Sequence, residues 1–230
     1  MNKLSEYIKS NKKPIIRENQ EHLPYVNVLI KGSIPKNISL DYVFDEVKEK
    51  LPKRLFTDIK DIIIGDFDFL NKKNLNSLYH DNKLYISNKE RNEEAILHDI
   101  VHEIAHSVEK KYEDIIYGDN VLKMEFVNKR RKLFNQMSPH YPECHDFDFD
   151  DINYSSNFDD FLYKKVTYPK LARLSSGLFF TPYATTSLRE YFADGVENYV
   201  LRPENRKDIY MMCPQLFAKV RKIVDGKNSF

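Results

Sequence analysis

An α+β protein is what the sequence predicts: a small mixed sheet in the first part of the chain, followed by a mostly helical C-terminal part. Two observations predict it. Runs rich in Val, Ile and Tyr, bounded by Gly, Pro, Asn and Asp, are concentrated ahead of Asn92. From Asn92 onward, apolar residues recur mainly at three- and four-residue intervals, the period of a helix.

Tyr25–Ile30 reads as a strand ended by Gly32, and Ser39 can cap a helix whose Val43, Phe44, Val47 and Leu51 form one stripe before Pro52. Ile62–Phe67 reads as a buried strand. Asn76–Tyr79 and Lys83–Ser87 flank His80-Asp81-Asn82, whose residues suit a hairpin turn. Of these strands, Lys83–Ser87 is expected to be the exposed edge beside the following helix, with Leu84 and Ile86 inward and Lys83, Tyr85 and Ser87 outward. That helix spans Asn92 to Lys110, free of Pro and Gly; Glu93 and Glu94 at its start and Lys110 and Lys111 at its end suit the helix dipole.

Past this helix, Asp119 can cap another that ends near Met137. In the Pro-bearing stretch Ser138 to Asn157, the alternation in His145–Ile152 predicts a short strand with one acidic face. Helices follow at Asp159–Lys165 and at Pro169–Ser176, the latter ended by Gly177. Thr181–Leu201 reads as a loop leading into a helix, and from Pro203 one or two more close the chain at Gln215–Val224.

The chemistry sits on the long central helix. His102-Glu103-Ile104-Ala105-His106 puts two imidazoles one turn apart on one face, so both can ligate a single Zn²⁺. Glu103 lies about 100° around the helix from His102, beside the position of a metal-activated water whose proton it can accept. Zinc needs a third protein ligand. Glu190 can complete the set, and Asp194, four residues on and on the same face, can accept the spare N–H of a ligating His and so fix its tautomer and ring angle.

A His-Glu-x-x-His helix followed by Glu190-x-x-x-Asp194 resembles the gluzincin metallopeptidases. With Tyr183 seven residues ahead of Glu190, it resembles in particular the group of the anthrax lethal factor catalytic domain and the Pro-Pro endopeptidases. The resemblance covers about Asp61 to Leu201 and rests on two short motifs. It implies a zincin-like fold with an edge strand over the active-site helix, and His102, His106 and Glu190 as zinc ligands. It further implies Glu103 as general base, Tyr183 as the hydroxyl facing the scissile carbonyl, and Asp194 as the partner of His102. The chain departs from the group in the longer gap between His106 and Glu190, so segment 113–180 reads as an insertion within one domain spanning 1–230.

Each of these residues also has a plainer reading. Ser187-Leu-Arg-Glu190 is a capping box, in which Glu190 would serve only the helix start. His98 shares the stripe of His102 and His106, but it lies about 12 Å along the helix from His106, too far for both to ligate one ion, and is expected to be packed or hydrogen-bonded. His140, Cys144 and His145 make a weak second cluster, and the acidic run at 146–151 lacks the spacing of an EF-hand.

Composition narrows the partners. With Lys plus Arg at 36 and Asp plus Glu at 35, the net charge of +1 provides no electrostatic footprint for nucleic acid or an anionic membrane, which leaves peptides or proteins as the expected substrates. The first residues carry no apolar core of a signal peptide, so the expected setting is cytoplasmic. Cys144 and Cys213 are expected to be reduced structural thiols. The expected activity is therefore zinc-dependent endopeptidase. The rival readings are a catalytically inactive zincin scaffold serving as an interaction or virion protein, and the catalytic moiety of a toxin.

Overall fold

In the computed structural model, residues 23–89 and 92–226 are described. The chain divides into two compact units, Met1–Val108 and Glu109–Phe230, the break falling at the end of the central helix.

The first unit is built on a four-stranded sheet of order β1-β2-β4-β3. Strand β1 (Asn27–Lys31) runs parallel to β2 (Asp61–Gly65), which runs parallel to β4 (Lys83–Ser87); β3 (Ser77–His80) joins β4 antiparallel at the edge. Two parallel strands need a crossover. Helix α1 (Leu40–Lys50) lies in the connection from β1 to β2, started by the Ser39 hydroxyl, which accepts the Tyr42 N–H at 3.4 Å. The short α2 (Asp68–Lys73) lies between β2 and β3. The β3–β4 hairpin expected from the sequence is present: Asp81 and Asn82 hold φ of 53° and 60°, the left-handed pair that a two-residue type I′ turn requires. Hairpin geometry then sets Tyr79 opposite Leu84.

The expected edge is corrected. Strand β4 is paired on both sides, by β2 and by β3, so β3 carries the free edge. Tyr85 does not face outward but is 6 % exposed, packed edge-on to Phe67 and Phe69 in a cluster with Ile63 and Leu70. Strand order along the chain does not determine order in space. Once β2 pairs with β4 through the α2–β3 crossover, the hairpin must fold to the outside.

Helix α3 (Glu93–Val108) packs on β3, β4 and α1. Asn92 starts it by accepting the Ala95 N–H at 2.9 Å. Its Ile96, Ile100, Val101, Ile104 and Ala105 are fully buried, as the apolar period predicts.

The second unit is helical: α4 (Glu113–Ile116), α5 (Val121–Met137), α6 (Ser156–Asp160), α7 (Tyr168–Leu174), α8 (Leu188–Leu201), α9 (Arg206–Met212) and α10 (Pro214–Val224). Helix α10 packs on α8 and α5. A β-carbon at Gly195 would stand 2.6 Å from the Leu216 side chain, so only glycine permits this approach of α8 to α10. The Glu125 carboxylate ties three helices together: it accepts the Gln215 and Leu216 N–H groups at the start of α10, at 2.8 and 3.1 Å, and the Tyr191 hydroxyl of α8 at 2.9 Å.

The acidic run is not a strand. A 3₁₀ turn at Pro142–Asp146 leads into a loop wrapped around Arg130, which is 1 % exposed and donates to the carbonyls of Asp148 and Asp151. Its guanidinium lies over the rings of Phe126, Phe149 and Phe158, at 5.5, 5.4 and 4.5 Å from their centroids. The alternation is real in that Phe149 turns inward, but a buried cation rather than a neighbouring strand satisfies the loop carbonyls. Burial pushes the Arg130 pKa down to about 10, which leaves it charged at neutral pH. Beyond α6 the chain makes a π-helical turn, Phe161–Val166, in place of the single helix expected at Asp159–Lys165. Thr167 then reverses direction with φ 71°. Both cysteines are free and buried, as expected. Among the described residues no helix is long and apolar enough to cross a membrane.

Because Arg130 serves two carbonyls and three rings, Arg130→Ala should destabilise the chain by on the order of 3 kcal/mol in urea unfolding. A loss under about 1 kcal/mol would show that the loop holds itself.

Candidate metal centre

Helical pitch places His102 and His106 on one side of α3, with ring centroids 4.9 Å apart and the planes inclined at 78°. Both are half-buried. Glu103 is only 5 % exposed, and a carboxylate buried to that degree costs several kcal/mol unless donors replace its water. Strand β3 supplies them. The Ser77 hydroxyl donates to one Glu103 oxygen at 2.7 Å, and the Tyr79 N–H donates to the other at 2.6 Å. Tyr79 can give its N–H to a side chain because β3 is the edge. His98 is engaged elsewhere on its own helix, with Nε2 3.7 Å from the Glu94 carboxylate.

In the second unit, Glu190 lies in the first turn of α8. The Ser187 hydroxyl accepts the Glu190 N–H at 3.2 Å, so the Ser half of the capping box is formed. Neighbouring Arg189 pairs with Glu109 at 2.7 Å, and Glu109 also accepts the Tyr117 hydroxyl at 3.2 Å. Asp194, one turn after Glu190, is 3 % exposed and is approached by the Asn198 amide at 3.4 Å. Tyr183 opens a 3₁₀ turn, Tyr183–Thr185, whose exit is pinned by the Thr186 hydroxyl donating to the Tyr183 carbonyl at 2.8 Å. Burial, followed by the negative charge of Glu190, holds the Tyr183 pKa far above that of an ordinary phenol. Its hydroxyl is therefore a hydrogen-bond donor at every physiological pH.

His102, His106 and Glu190 each offer one ligand atom, and these atoms all lie within 4.8 Å of one another. The group could hold a metal ion. Two imidazole nitrogens and one carboxylate oxygen are a donor set that suits zinc, whose bonds of about 2.0–2.2 Å place tetrahedral ligands roughly 3.4 Å apart. Among the described residues this is the one such convergent group, so neither His140, Cys144 and His145 nor the acidic run forms another. Cys144 is buried, and the His145 ring packs edge-on to Phe134.

Sequence reading missed the partners. Ser77 and Tyr79 are next-but-one neighbours on a strand, a spacing that marks a common face or edge but does not reveal which helix carboxylate will meet it. It also missed Asp159, which accepts the Tyr154 and Tyr168 hydroxyls at 2.8 and 3.0 Å, and whose charge, with Glu190, acts on Tyr183. All three lie in segment 113–180, where no motif announces them.

Among known proteins, no family model matches this chain, and neither a curated protein nor a solved structure matches it.

The centre should bind one divalent metal per chain, measured by elemental analysis and competition with a chelator. His102→Ala or His106→Ala should abolish binding. Glu190→Ala should weaken it by more than about 10²-fold, since loss of an outer partner alone costs 10–100-fold. Ser187→Ala should cost about 1 kcal/mol of stability and leave affinity nearly unchanged. Undiminished affinity in Glu190→Ala would reduce Glu190 to a helix cap.

Proposed function

We propose that this protein is a zinc-dependent endopeptidase of the gluzincin kind, with Zn²⁺ held by His102, His106 and Glu190. The observation that carries this reading is the convergence of those three ligand atoms, together with a buried carboxylate, Glu103, between the two histidines in sequence. Zinc, when bound, supplies Lewis acidity and an acidified water, with a pKa near about 7. The remaining work falls to the chain. Glu103 takes the proton of the attacking water and passes it to the leaving amine. The Tyr183 hydroxyl donates to the developing oxyanion. Asp194 accepts the spare N–H of His102 and fixes its ring.

The substrate class is a peptide in extended conformation. Because β4 is interior, the strand able to receive such a peptide is β3. The Tyr79 N–H of that strand is already given to Glu103, so pairing with a peptide would rest on the other outward backbone groups of β3.

Cleavage-site profiling of the zinc-loaded full chain on a proteome-derived peptide library tests the reading; no cleavage by fully loaded protein would overturn it. With a peptide in hand, Glu103→Gln should keep the metal and lose at least about 10² in kcat. Tyr183→Phe should lose about 10²–10³ in kcat with the metal retained. An effect of Tyr183→Phe confined to KM would make it a packing residue instead.

A further inference from the structure

The clamp on Glu103 has a property that burial alone does not require: its two donors come from one strand and differ in kind. Tyr79 gives a backbone N–H, which can only donate. Ser77 gives a hydroxyl, which can donate or accept. We infer that Ser77 is a positioning residue for the general base, holding the Glu103 carboxylate at a fixed angle on α3. This inference rests on the peptidase reading for its catalytic consequence, and on the hydrogen bonds alone for its structural one.

A glutamate on a helix has three side-chain torsions, and a single contact leaves the carboxylate free to turn about it. Two contacts, at 2.7 and 2.6 Å and to different oxygens, fix both its place and its plane. Each oxygen keeps a second lone pair, so the clamp does not block proton uptake.

The test uses the full chain with Ser77→Ala and Ser77→Thr, the latter keeping the hydroxyl, with Glu103→Gln as reference. On a peptide cleaved by the wild type, Ser77→Ala should lower kcat about 10-fold with KM and metal content unchanged, the scale expected of a misdirected rather than missing base. Ser77→Thr should restore kcat to within about 2-fold. A second readout needs neither metal nor substrate. The Tyr79 amide proton, carried downfield by its bond to a carboxylate, should shift upfield in Ser77→Ala towards its place in Glu103→Gln, and stay at the wild-type position in Ser77→Thr. If Ser77→Ala fails to fold, Ser77→Cys, a poor donor, takes its place with the same expectations. Unchanged kcat, a loss confined to KM, or a Tyr79 amide indifferent to the hydroxyl would each overturn the inference. If the wild type cleaves no peptide, the peptidase reading falls, and the amide shift still decides whether Ser77 holds Glu103.

Discussion

A buried carboxylate on a helix is the constraint around which the first unit is arranged. Glu103 cannot be withdrawn from water without two donors, and an interior strand has no backbone N–H to give, because sheet neighbours take them. The sheet must therefore end beside α3. It does so through the hairpin, whose left-handed Asp81 and Asn82 fold β3 to the outside of β4 and leave Tyr79 free to donate. An apolar residue at 103 would remove the demand and make helix packing simpler. That cost is sustained beside two half-buried histidines that, with Glu190, could hold a metal ion.

The second unit meets a comparable demand differently. There the costly buried group is the Arg130 cation, and it is satisfied by aromatic faces and loop carbonyls instead of by a strand. The outcome is structural: an acidic loop is organised, and with it the approach to α6. Nearby, Ser187 fixes the start of α8 and with it the backbone position of Glu190. The residue that caps the helix and the residue that can ligate a metal are thus set by the same turn, Ser187 forming its half of the capping box.

The features that were legible in the sequence are those encoded by local period and turn chemistry. The extent of α3, the Ser39 cap, the β3–β4 hairpin and the end of α5 at Met137 all follow from a few adjacent residues. The pairing of His102 with His106 is equally local, since helix pitch alone brings them together. Glu190 needed a second motif far along the chain, and its convergence with the histidines is a tertiary fact. Three things were hidden for one reason. The interior place of β4, the service of Ser77 and Tyr79 to Glu103, and the wrapping of 146–151 around Arg130 each depend on a partner that local pattern does not name. An alternating run such as His145–Ile152 reports that one side turns inward, not what covers its backbone.

The central claim is that His102, His106 and Glu190 form one zinc centre. Anomalous diffraction collected on either side of the zinc absorption edge, from crystals of the zinc-loaded chain, tests it most directly. A single peak bonded to all three side chains at about 2.0–2.2 Å is the predicted result. A peak held by other residues, or none at His102 and His106 in protein shown to be metal-loaded, would contradict the account.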